Sequence, residues 1–125
     1  MLKKLNTSEG NILEYEVEGK LTEDEMNNAI NEFKAVINEY GSVNLLFKAR
    51  DMSKVDYSDV INAFRNEKET MDKIGKYALV TESKALAAVE KLSDVMADLE
   101  YESFNFDEEA EARQWLRQPK HSKQT

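Results

Sequence analysis

The spacing of hydrophobic and polar positions changes three times in the first half of this chain, and each change marks an element. Leu13, Tyr15 and Val17 alternate with Glu14, Glu16 and Glu18. That period of two predicts a strand over Ile12–Glu18 with one apolar and one carboxylate face. Gly19-Lys20-Leu21 then leads into Thr22-Glu23-Asp24-Glu25, a capping-box pattern in which hydroxyl and carboxylate satisfy backbone N–H groups at a helix start. Met26, Ala29, Ile30, Phe33, Val36, Ile37 and Tyr40 step by three and four. A helix is therefore expected from about Glu23 to Tyr40, stopped by Gly41. After it, Val43-Asn44-Leu45-Leu46-Phe47 is apolar on both faces, as a strand inside a sheet would be.

The remaining elements follow from the same rules. Met1–Leu5 reads as a first strand, joined through a turn over Asn6–Asn11 to Ile12–Glu18. So short a connection implies an antiparallel hairpin, here placed at a sheet edge with Glu14, Glu16 and Glu18 facing outward against association. Strand three covers Val43 to about Ala49. Ser58 caps a second helix with Asp59 in its first turn, where negative charge suits the dipole. Its apolar stripe is Val60, Ile61, Phe64, Met71 and Ile74, and Gly75 closes it. Lys76–Thr81 is strand four, central and parallel to strand three. Ser83 caps a third helix with Leu86, Val89, Leu92, Met96 and Leu99 on its face. Strand five covers about Glu100–Phe106, and a fourth helix begins at Asp107 or Glu108 with Ala112, Trp115 and Leu116 inward. The order ββαβαβαβα predicts an α/β fold, a mixed five-stranded sheet with about four α-helices packed on it and right-handed crossovers. Residues 1–117 are expected to form one domain, and 118–125 a flexible polar tail.

Composition narrows the function. A net charge of −8 argues against a nucleic acid partner and against an anionic membrane surface, both of which call for Lys and Arg. No apolar run approaches the roughly 18 residues needed to cross a bilayer, and the N-terminus lacks the apolar core of a signal peptide. With no cysteine there is no disulfide framework or thiolate site, so a cytoplasmic location is the default. The single histidine, His121, lies in the expected tail, so no Ser-His or Cys-His pair forms on the folded body. Four glycines leave little from which to build a phosphate-cradling loop, and no nucleotide motif is present. Asp51 to Asp59 offers oxygen ligands but lacks the glycine and closing glutamate of a calcium loop. Glu23-Asp24-Glu25 and Asp107-Glu108-Glu109 read as solvated capping clusters. The chain reads as no enzyme, with no cofactor and no metal.

Two surfaces remain as candidates. Ligands and partners of open α/β sheets engage the carboxyl ends of the parallel strands. Here those ends bring Arg50, Asp51, Ser53, Lys54, Asp56, Tyr57, Ser58 and Asp59 after strand three, and Thr81, Ser83 and Lys84 after strand four. Arg50, Lys54 and Lys84 add positive charge to an acidic molecule, and the hydroxyls can cap helices or meet a partner. The second candidate is the set Met52, Phe64, Met71 and Met96, which can line a cavity for a small apolar ligand or fill an irregular core.

Gly19-Lys20-Leu21-Thr22, Val43-Asn44-Leu45-Leu46-Phe47, Lys76-Tyr77-Ala78-Leu79-Val80-Thr81 and Glu111-Ala112-Arg113-Gln114-Trp115-Leu116 together give the chain a family resemblance. It resembles the SpoIIAA-like proteins of the wider STAS superfamily (sulphate transporter and anti-sigma-factor antagonist domains). The resemblance implies an α/β sheet with helices packed on it and no established enzymatic activity. Antagonists of that superfamily carry an Asp-Ser-Ser-Gly type motif with a phosphorylated serine after strand three. Here the approach Asp51 to Asp59 places Asp59 at the aspartate, but Val60-Ile61-Asn62 follows, so the phosphorylatable serine and the glycine are absent. Ser58 lies one residue before Asp59, in the cap. The resemblance also permits carriage of a non-polar molecule. The expected function is thus an interaction or regulatory module that binds a protein partner through the loop after strand three and the second helix. The alternative is a carrier or sensor of a small non-polar ligand between the sheet and the second and third helices. The oligomeric state is open, a dimer being conceivable.

Overall fold

Thr22 Oγ1 accepts the Glu25 N–H at 3.1 Å while Glu25 Oε1 accepts the Thr22 N–H at 3.0 Å, so the predicted capping box starts helix α1, Glu23–Tyr40. At its other end Gly41 takes φ +89° and donates to the Ile37 carbonyl at 2.7 Å, a left-handed cap that residues with a Cβ avoid. In the computed structural model, which describes residues 1–19, 21–50, 66–81 and 100–118, this helix lies on a five-stranded sheet.

The strands are β1 (Leu2–Lys4), β2 (Ile12–Glu18), β3 (Val43–Arg50), β4 (Ile74–Thr81) and β5 (Glu100–Phe104), side by side in chain order. β1 runs antiparallel to β2, and β2 to β5 are mutually parallel. The described residues add the short helix α2 (Lys68–Met71) and the C-terminal helix α3 (Glu109–Arg117), entered through a 3-10 turn at Phe106–Glu108. The fold class is the expected one, a mixed sheet with helices on it; three α-helices are described where about four were anticipated. Most of the predicted second helix, up to residue 65, and all of the predicted third lie outside the described residues.

Three boundaries differ from the sequence expectation, each for a tertiary reason. β2 is not an edge: β1 and β3 pair with its two sides, while α1 covers Leu13, Tyr15 and Val17 on one face and Arg113 of α3 covers Glu14 on the other. Gly75 does not close a helix but sits inside β4, which begins at Ile74. The ladder shifts register between Val43 and Leu45, and the Asn44 side chain folds across this irregularity, accepting the Lys76 N–H at 3.0 Å. A Cβ on Gly75 would come within 2.7 Å of the Asn44 amide oxygen, so glycine serves a close approach there. β5 ends at Phe104 and the last α-helix begins at Glu109, because residues 106–108 wind as the tighter 3-10 turn.

Alternation divides the core in two. Leu13, Tyr15, Val17, Leu45, Phe47, Ala49, Tyr77 and Leu79 face α1, where they pack with Met26, Ala29, Ile30 and Phe33. Ile12, Leu46, Ala78, Val80 and Phe104 face α3 and meet Ala112 and Leu116.

Candidate functional site

The four parallel strands end along one side of the sheet. Registry sets Glu18 beside Arg50, Ala49 beside Thr81 and Val80 beside Phe104. Two of the sequence-predicted positions are thereby placed at neighbouring strand ends, Arg50 as the last residue of β3 and Thr81 as the last of β4. Thr81 shares a row with Val17 and Ala49 and is fully buried. Its hydroxyl has no hydrogen-bond partner among the described residues, unusual for a buried polar group. Asp51, Met52, Ser53, Lys54, Asp56, Tyr57, Ser58, Asp59, Phe64, Ser83, Lys84 and Met96 lie outside the described residues. Met71, the remaining member of the methionine set, is buried in the core beneath α1.

Beneath α3 the sheet carries a ladder of charges that sequence patterning misassigned. Glu14 is 0% exposed, against the expectation of an outward carboxylate. Its Oε1 accepts Arg113 Nε at 3.0 Å and the Thr7 hydroxyl, while its backbone N–H donates to Ser8 Oγ at 2.9 Å. Arg113 Nη2 continues to Glu109 Oε2, and Glu109 Oε1 meets Lys48 Nζ at 3.0 Å. Lys48 also stands 5.9 Å from the centre of the Phe106 ring. Burial by itself would raise the Glu109 carboxyl, but hydrogen bonds from Lys48 and Arg113 outweigh it and hold the group below its usual range. Burial likewise works against the Arg113 cation, and its bonds to Glu14 and Glu109 raise its pKa. Glu109 and Arg113 are thus held in their charged forms, which suits mutual pairing and not proton transfer near neutral pH. Glu14 Oε2 is buried without a partner among the described residues.

A second cation closes the opposite end of α3. Lys76, 2% exposed, donates to the Trp115 carbonyl at 2.8 Å and the Gln118 carbonyl at 3.0 Å, and lies 4.8 Å from the Trp115 ring centre. Positive charge at a helix C-terminus and above an indole face is favourable on both counts. The signal for Lys48 and Lys76 was present in the sequence: a lysine inside an apolar strand must find acceptors when buried. What patterning could not supply was the partner, since Lys48 meets α3 across some sixty residues and Lys76 across 39 and 42.

A family model described as SpoIIAA-like matches residues 12–117. The chain belongs to the SpoIIAA-like family. Comparison with curated proteins and with solved structures finds no match. The matched span contains β2 to β5 and all three described helices, so the strand ends above are part of the SpoIIAA-like domain itself. Among the described residues, no group of three or more His, Cys, Asp or Glu side chains is placed to hold a metal, and no helix is long and apolar enough to cross a membrane.

Proposed function

We propose that this SpoIIAA-like domain is a non-catalytic regulatory module that docks a protein partner at the carboxyl ends of its parallel strands. The docking face comprises the segment after β3 (Arg50, Asp51, Ser53, Lys54, Asp56, Tyr57, Ser58 and Asp59) and the start of the segment after β4 (Thr81, Ser83 and Lys84). One observation carries this reading: β2, β3, β4 and β5 all end on the same side, with Arg50 and Thr81 closing neighbouring strands. Segments leaving adjacent strand ends share a border of the sheet, and such borders are where open α/β sheets meet ligands and partners. The family match supports the regulatory role. The segment lacks the usual phosphorylatable serine and glycine after Asp59, where Val60-Ile61-Asn62 stands.

A photo-reactive residue introduced at position 54 or 57 tests this in the native host lysate, with the same residue at exposed Glu111 as control. A discrete adduct formed from 54 or 57, absent from the control and lost in the Asp56→Ala/Asp59→Ala variant, is the expected result. Identical adducts from all positions, or none, would refute the docking face. Native mass spectrometry of the purified chain reads the other possibility, since a retained apolar molecule would shift the assignment to a carrier.

A further inference from the structure

The two edges of the sheet are complementary to each other, and we infer that a second copy of this chain adds its β5 to the open edge of β1. The backbone directions suit such a junction. β1 opposes β2, and β2 to β5 are parallel, so a copy displaced sideways in the plane of the sheet sets β5 against β1 in antiparallel pairing. The open groups are at hand as well. Glu18 N–H donates to Met1 O and Leu5 N–H to Glu14 O, so by antiparallel alternation Met1, Lys3 and Leu5 point their backbone at β2 while Leu2 and Lys4 point theirs away. The Leu2 N–H is taken by Glu25 Oε2 at 2.8 Å. Among the described residues, the Leu2 carbonyl and both backbone groups of Lys4 remain directed at the edge, the kind of row that accepts another strand.

Side chains agree with the backbone on both faces. Lys3 is in register with Glu16 and so lies on the α3 face; Glu100 and Glu102 are in register with Lys76 and Ala78 and lie on that same face. Antiparallel registers that set Leu2 opposite Ser103 or Tyr101 place Lys3 opposite Glu102 or Glu100, an attractive cross-strand pair. On the α1 face, Tyr101 is 38% exposed, one of three large hydrophobic side chains so exposed among the described residues. The matching place beside β1 is an open groove of about 480 Å³ against α1, lined by Leu2, Lys4, Tyr15, Asn28, Ala29 and Glu32. Its apolar floor suits the ring and its polar rim the hydroxyl of a tyrosine. Because each copy carries one edge of each kind, the contact is heterologous and repeats from copy to copy.

Sedimentation velocity of the full chain tests this assembly. The average mass should rise with protein concentration at about 0.1 M ionic strength, where a screening length of about 10 Å damps the repulsion between copies of net charge −8. Lys3→Glu alone and Glu100→Lys/Glu102→Lys alone should each sediment as monomers with unchanged far-UV circular dichroism. Their equimolar mixture should associate again, because each junction then joins opposite charges. Tyr101→Ala should weaken association about fivefold, the scale of one lost cross-strand pair. A monomer at every concentration and salt would overturn the inference. So would association that survives Lys3→Glu, which signals a junction other than β1 with β5.

Discussion

On the α1 side of the sheet, Tyr15, Phe47 and Tyr77 form a stack with ring centres 5.4 and 5.3 Å apart, and Phe33 meets Tyr15 edge-on at 6.0 Å. On the α3 side, the corresponding rows hold Ile12, Leu46, Ala78, Val80 and Phe104 with Glu14, Lys48 and Lys76 among them, each of these three matched by a group on or beside α3. The first face derives its stability from apolar area and ring geometry. The second depends on exact partners, because a buried charge without its counterpart costs more than the pair contributes. The strongest sequence periodicity belongs to the first face, and the largest departures from periodicity belong to the second.

Truncating Phe33, fully buried in the α1 face, should give the largest loss: Phe33→Ala costs roughly 3–5 kcal/mol in denaturant unfolding. A loss below about 1 kcal/mol would mean that α1 is not anchored by its aromatic contacts. On the α3 face, Arg113→Ala should cost about 2–4 kcal/mol, below the full range for a broken buried pair because Arg113 is a quarter exposed. The double variant Glu14→Leu/Arg113→Leu should recover most of that loss. If the double variant is as unstable as the single, the ladder contributes net stability and the contrast between the faces disappears.

Acid sharpens the same contrast. The folded-state pKa of Glu109 lies below its ordinary value of about 4.3, so its contribution to stability is complete above that value and is lost as pH falls through the lower, folded one. Lys48→Met removes one of the groups that depress it and should move the acid-unfolding midpoint to higher pH, read from the thermal midpoint across a pH series. An unmoved midpoint would place the acid sensitivity on other carboxylates. The smallest effect belongs to the helix start. Thr22→Ala removes the hydroxyl half of the capping box and should cost about 1 kcal/mol, seen as a modest fall in the same thermal midpoint.

Within the chain, local rules were enough for α1: its period of three and four, Thr22 with Glu25, and Gly41 each act over one or two turns, and the helix runs over the residues so predicted. The apolar runs at Val43–Phe47 and Tyr77–Val80 likewise required strands covered on both faces. The candidate site was legible only as a position, the strand ends at Arg50 and Thr81, and not as a set of contacts.

What the linear pattern could not determine was the role of each charge. Glu14, Glu16 and Glu18 are equivalent in an alternating strand, yet Glu14 is buried, Glu16 half-buried and Glu18 exposed. The difference arises because β3 pairs along β2 and α3 returns from the far end of the chain to lay Arg113 over Glu14. Periodicity decides which face a side chain takes, since that depends on neighbours two to four residues away. Whether that face meets water or a counter-charge depends on chain segments tens of residues distant, and only the assembled sheet brings those together.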